Sequence, residues 1–131
     1  MNIALQLPRP LDSFVIDVPA NQYYDFHLPP GSTYPLKGVT YPVDYGSIPG
    51  YTAEDDHDLD LFVGQHPDGE MGYIVVARGE HIPDEHKFYI GLTLEEVGAV
   101  LGQLKPVLLE HEKITSRDAL LAEIEKFKNR A

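Results

Sequence analysis

The hydrophobic pattern changes its period near Thr93, and this change constrains the fold more than any other feature of the sequence. Before it, short apolar or aromatic runs are separated by turn residues, which is typical of β-strands. Strands are predicted at 14–18, 22–28, 39–45, 59–63, 72–77 and 87–91. After Thr93, apolar residues recur at helical spacing. We therefore expect an α+β fold, a small β-barrel or curled sheet with helices late in the chain.

Turn residues suggest how the first strands are joined. The strand at 22–28 is expected to pair with the strand at 14–18 across the intervening turn. Glycine and proline between 46 and 50 predict a turn after the strand at 39–45.

Capping patterns predict two or three helices in the last third. Thr93 and Glu96 match a capping box, which places a helix start at this point. Pro106 is expected to kink or restart that helix, which then continues over 107–113. A second capping box at 115–118 predicts a further helix.

The length of 131 residues suits one domain spanning 1–131. The sequence has no cysteine, which excludes disulfides and thiolate zinc sites. No apolar run approaches the ~20 residues that a membrane span needs. We expect a soluble, cytoplasmic protein.

The formal net charge of -11 restricts the possible partners. A chain this acidic repels the phosphates of nucleic acids and anionic lipids. Binding to either is therefore not expected. A small phosphate-containing ligand could still bind if metal cations accompanied it. The alternative is that the acidity serves only solubility.

The densest charge is the run from Glu54 to Asp60, which holds five carboxylates and a histidine. It leads directly into the apolar strand at 61–63, so its end must lie close to the core. Repulsion within the run is costly unless it is solvated or bound to cations. A divalent metal site is therefore predicted, with a plain solvated loop as the alternative. A calcium EF-hand is excluded, because its glycine and glutamate positions hold Leu61 and Pro67.

Several motifs in order give the run a family context. Residues 41–50 read Tyr-Pro-Val-Asp-Tyr-Gly-Ser-Ile-Pro-Gly, and residues 55–61 read Asp-Asp-His-Asp-Leu-Asp-Leu. Together they resemble the core of the soluble (family I) inorganic pyrophosphatases. Two further segments are similar to that family, Val-Ile-Asp-Val-Pro-Ala-Asn at 15–21 and Glu-His-Glu-Lys at 110–113. The likeness covers nearly the whole chain, which is shorter than a typical member.

The resemblance implies a fold and a reaction. It implies a five-stranded OB-like β-barrel with C-terminal helices packed outside, assembled as a homo-oligomer. It also implies hydrolysis of pyrophosphate, or of a related phosphoanhydride, to phosphate. Divalent ions, Mg²⁺ above all, would bridge the substrate and an attacking water. The alternative is an inactive protein of the same fold that binds metal or a phosphorylated ligand.

The resemblance also assigns roles to individual residues. The predicted metal ligands are carboxylates and one imidazole: Asp55, Asp60, Glu80, Glu85 and His57. The predicted phosphate-binding residues are Lys37, Tyr45, Lys87 and Lys113. Catalysis is assigned to His57, Asp55 and Tyr45, with Asp17 and Asp25 in the places of other family carboxylates.

The chain departs from the family at several positions. His57 replaces the aspartate that is often assigned as general base. An imidazole can accept a proton near neutral pH, and as a ligand it favours Mn, Co or Zn over Mg. Tyr23 and Glu112 replace a lysine and a tyrosine that contact phosphate in the family.

Overall fold

The computed structural model describes residues 14–129, and their fold is α+β, as the sequence predicts. The strands are Val15–Val18 (β1), Tyr23–Asp25 (β2), Gly38–Thr40 (β3), Asp44–Thr52 (β4), Asp58–Val63 (β5), Glu70–Val76 (β6), Glu85–Leu92 (β7) and Leu108–Ile114 (β8). The helices are Leu94–Leu104 (α1) and Arg117–Glu125 (α2), with a 3-10 turn at Lys105–Val107.

Six strands form one sheet in the order β1-β4-β5-β7-β6-β8, and β2 pairs with β3 in a separate hairpin. All neighbours in the large sheet are antiparallel except β5 and β7, which run parallel. A parallel pair needs a crossover, and here β6 lies within that connection. Within residues 14–129, β1 and β8 stand at opposite edges of the sheet and are not paired with each other.

The central strand β5 is apolar on both faces because each face is covered by a helix. Leu61 lies in a buried cluster with Leu120 of α2. Phe62 points to the other face, where it belongs to a cluster with Val97 of α1. Side chains alternate along a strand, so Asp60 shares the face of Phe62. This alternation places a carboxylate on the α1 side of the sheet.

The helices begin at polar caps. The Thr93 hydroxyl accepts a hydrogen bond from the Glu96 N–H at 3.0 Å, and the Glu96 carboxylate accepts one from the Thr93 N–H at 2.8 Å. This confirms the predicted capping box. The cap of α2 is Ser116, one residue later than the predicted Thr115. In the described part of the chain, no helix is long and apolar enough to cross a membrane.

The predicted helix over 107–113 is wrong. Pro106 ends the helical segment within the 3-10 turn, because it cannot supply the backbone N–H that a continuing helix needs. The following residues form β8, which pairs along β6. The open edge of β6 therefore overrides the helical propensity of the leucine, glutamate and lysine residues.

Two expectations about the first strands are also wrong. β1 pairs with β4 rather than with β2, and β2 pairs with β3. The turn predicted between 46 and 50 lies inside β4. Pro49 is tolerated there because the pairing with β1 ends at Ser47, so no β1 ladder bond is lost. Gly50 takes a φ of 90° where the register with β5 shifts.

Candidate functional site

A cavity of about 1030 Å³ opens on the α1 side of the sheet and collects most of the predicted site residues. The sheet register explains the convergence. Asp60 on β5 lies directly beside Lys87 on β7, and alternation along β7 places Glu85 on the same face. Tyr45 on β4 is paired with Phe62, two residues along β5 from Asp60. The four polar side chains therefore meet at one wall of the cavity.

Lys87 is the centre of this polar group. Its side chain is only 6% exposed, and its ammonium donates hydrogen bonds to Tyr45 Oη at 2.7 Å and to Asp60 Oδ2 at 2.8 Å. The Glu85 carboxylate lies 3.4 Å away. A buried ammonium is costly unless it is paired and hydrogen-bonded. Lys87 therefore depends on these three neighbours.

Burial and charge set the protonation of the group. Burial raises the pKa of Glu85 to about 7, and the charge of Asp60 adds to the rise while Lys87 and Arg78 oppose it. For Asp60, burial alone would raise the pKa, but the charge and hydrogen bond of Lys87 outweigh burial and lower it. Burial raises the pKa of Tyr45 well above its usual value, so its phenol stays protonated. Glu85 is thus the one carboxyl of the group that titrates near neutral pH.

Arg78 supplies a second cation that the sequence did not point to. It lies two residues after the end of β6, and its guanidinium is 3.1 Å from Glu85 and 3.9 Å from Asp55. Arg78 ends the cation-poor stretch that begins after Arg9, interrupted only by Lys37. Its place as the first cation after the acidic run was the sequence feature that could have indicated a role in this site.

The acidic run folds into a turn rather than an extended loop. The Ala53 N–H donates to the His57 carbonyl at 2.8 Å, and Asp56 takes a φ of 66°. Asp55 and His57 line the cavity, with Asp60 just beyond on β5. The other aspartates of the run, Asp56 and Asp58, are exposed and do not line it.

Glu54 ties this turn to β7. Its carboxylate accepts hydrogen bonds from the His86 N–H at 3.1 Å and from the His86 ring Nδ1 at 2.5 Å. The His86 ring lies on the opposite face of β7 from Glu85 and Lys87, against Tyr73 and Phe127. Strand β7 therefore supplies Glu85 and Lys87 to the cavity. Its His86 also holds the turn that carries Asp55 and His57.

The remaining predicted residues divide into two groups. Asp17 and Glu80 line the cavity, although both are exposed. Asp25, Lys37 and Lys113 do not line it. Lys113 lies on β8 and pairs with Glu70 at 2.9 Å, because the segment expected to be a helix is a strand.

The donor types fit magnesium or manganese, since carboxylate oxygens are the ligands these ions prefer. The positions of these side chains, however, do not form a metal site. Among residues 14–129, no three histidine, aspartate or glutamate side chains lie close enough together to hold an ion. Lys87 and Arg78 instead bind the oxygens of Asp60 and Glu85.

The chain was compared with known protein families, proteins and structures. No protein-family model, no curated protein and no solved structure matches the chain.

Proposed function

We propose that this protein is a metal-dependent phosphohydrolase that cleaves pyrophosphate, or a related phosphoanhydride, to phosphate. One observation carries the proposal: residues chosen from separate motifs line the same cavity. They are Asp17, Tyr45, Asp55, His57, Asp60, Glu80, Glu85 and Lys87. The α+β sheet supports the proposal at the level of fold class; the OB-like barrel and the homo-oligomer remain parts of the proposal.

The chain's own side chains suit the chemistry of a bound phosphoanhydride. Arg78 and Lys87 offer charge-assisted hydrogen bonds to phosphate oxygens, and the protonated Tyr45 hydroxyl offers another. Asp55, Asp60 and Glu85 are the carboxylates that would hold a divalent ion, although they would have to move closer together to do so. Such an ion would neutralise the phosphates and lower the pKa of an attacking water.

A phosphate-release assay tests the proposal. Purified protein, shown to be folded by circular dichroism, is incubated with pyrophosphate and Mg²⁺, Mn²⁺, Co²⁺ or Zn²⁺ in turn. We expect release with at least one metal and a large loss in Asp55→Asn. Asp58→Asn is the matched control, because Asp58 belongs to the same acidic run but lies outside the cavity. Absence of release with every metal would make the proposal wrong.

A second candidate is binding of a phosphorylated ligand without turnover. The ion pairs favour it, because Lys87 and Arg78 already neutralise Asp60 and Glu85 without a metal. The non-hydrolysable analogue methylenediphosphonate separates the two candidates. Binding of this analogue together with no release from pyrophosphate would support the second candidate over the first.

A further inference from the structure

The cavity is much larger than pyrophosphate requires. Its volume of about 1030 Å³ is at the upper end of the range, ~300–1,000 Å³, found for sites that bind drug-sized molecules. If each of the nine heavy atoms of pyrophosphate is given the roughly 30 Å³ of a liquid water molecule, the ion fills only about a quarter of it. The remaining space is available to a larger organic group.

The cavity also has an aromatic and apolar lining, which is the chemistry of an organic-ligand site. It is lined by Tyr24 on β2, by Phe26, Leu28 and Tyr34 on the loop that joins β2 to β3, and by Ile82. The ring centroids are 5.4 Å apart for Tyr24 and Phe26, which meet edge to face at 65°, and 6.4 Å apart for Phe26 and Tyr34, which are tilted by 53°.

This aromatic wall is held in place against the sheet. The Tyr34 hydroxyl donates to the Ala77 carbonyl at 2.6 Å, one residue before Arg78. The Phe26 N–H donates to the Lys37 carbonyl at 3.0 Å and closes the base of the loop. The aromatic wall therefore has a fixed position beside the cations, as a site for a single two-part ligand requires.

The charges of the cavity also favour an organic ester over the free ion. Arg78 and Lys87 are its cationic lining residues in the described chain, whereas its acidic ones are Asp17, Asp55, Asp60, Glu80 and Glu85. An organic diphosphate has one ionisable oxygen fewer than pyrophosphate, so it meets less repulsion.

We infer that the ligand of this cavity is an organic diphosphate of the nucleoside diphosphate class. Its diphosphate would lie by Arg78 and Lys87, and its planar base would stack on the Tyr24 ring, with Phe26 and Tyr34 packed beside it. Stacking suits flat aromatic side chains and tolerates any base, because every base presents a π-face. This inference rests on the proposed phosphate site and names its substrate class.

Calorimetric titration tests the inference without relying on turnover. The probes are the α,β-methylene analogue of ADP and methylenediphosphonate, both with Mg²⁺ at the same concentration. Geranyl diphosphate, an organic diphosphate without an aromatic base, is titrated under the same conditions. We expect the nucleotide analogue to bind at least about fivefold more tightly than methylenediphosphonate, because stacking of one base contributes this much affinity.

Two adjacent tyrosines on β2 provide a matched pair of variants. Tyr24 lines the cavity with 41% of its surface exposed, whereas Tyr23 is 58% exposed and does not line it. Tyr24→Ala is expected to abolish the preference, so that the affinity for the nucleotide analogue falls to that for methylenediphosphonate. Tyr24→Phe, which keeps the ring, and Tyr23→Ala should both retain the preference.

The outcomes separate the inference from the proposed function. Equal affinity for both probes, tighter binding of geranyl diphosphate, or no binding of either probe would each overturn the inference. Tight nucleotide binding that is lost in Tyr24→Ala, without phosphate release from any diphosphate, would support the inference and contradict the hydrolase. Phosphate release from pyrophosphate with no preference for the nucleotide would support the hydrolase and contradict the inference.

Discussion

Lys87 is the residue on which the described site depends most, because it is buried among Tyr45, Asp60 and Glu85. We expect Lys87→Met to lower the free energy of unfolding by about 3–5 kcal/mol, since Asp60 then loses its buried counter-charge and Glu85 keeps only the partly exposed Arg78. Urea denaturation measures the change. Lys113→Met is the control: its pair with Glu70 is half exposed, so its loss should cost at most about 1 kcal/mol. Similar losses in the two variants would contradict the role given to Lys87.

Glu85 should make the stability of the metal-free protein depend on pH. Its pKa is raised from an ordinary 4.5 to about 7 in the fold, so folding favours the protonated carboxyl. The stability that this proton contributes is fully present below pH 4.5 and is lost as the pH rises through about 7.

Glu85→Gln, which cannot ionise, should remove this dependence. The difference in unfolding free energy between variant and wild type should change by roughly 1–3 kcal/mol in the variant's favour between pH 5 and pH 8. Urea titrations with a chelator present measure it. The exposed Glu112→Gln serves as the control, and a wild-type curve parallel to that of Glu85→Gln would rule out the raised pKa.

The predicted site residues that the sequence brings together most directly are close neighbours along the chain. Asp55 and Asp60 belong to one short motif, and Glu85 lies two residues from Lys87. All of them line the cavity. Arg78 was missed because its role depends on β6 ending beside the parallel pair of β5 and β7, which is a long-range feature.

At the scale of elements, the acidic turn depends on its link to β7. Glu54 does not line the cavity, yet it holds the turn that carries Asp55 and His57 through two hydrogen bonds to His86. We expect Glu54→Ala to lower the unfolding free energy by about 1–3 kcal/mol and to reduce phosphate release as well. Asp58→Ala, in the same run but exposed, should change stability by no more than about 0.5 kcal/mol. Equal effects of the two changes would mean that the link does not position the turn.

The central strands could be predicted and the edge pairings could not. β5 and β7 are buried on both faces, so their apolar runs identify them without knowledge of their neighbours. The partner of β1 is decided by the sheet as a whole, and β4 rather than the nearer β2 offers the free edge. β8 is mostly exposed and rich in helix-forming residues, so only its pairing with β6 makes it a strand.

At the scale of the whole molecule, the net charge of -11 can be explained in two ways. The effect of different salts on stability distinguishes them. If the acidity serves only solubility, all salts should act by screening the repulsion between carboxylates. If the cavity binds a divalent ion, that ion should add a saturable stabilisation of the folded state.

We therefore expect MgCl2 or MnCl2 to raise the unfolding free energy above the value in NaCl at the same ionic strength. At 100 times the dissociation constant of the ion, linkage gives about 2.7 kcal/mol. Asp55→Asn should lose this increment and Asp58→Asn should keep it, because only Asp55 lines the cavity. Both variants lose one charge from the same acidic run, so simple screening would affect them equally. Identical curves in the two salts for the wild type would assign the acidity of this chain to solubility alone.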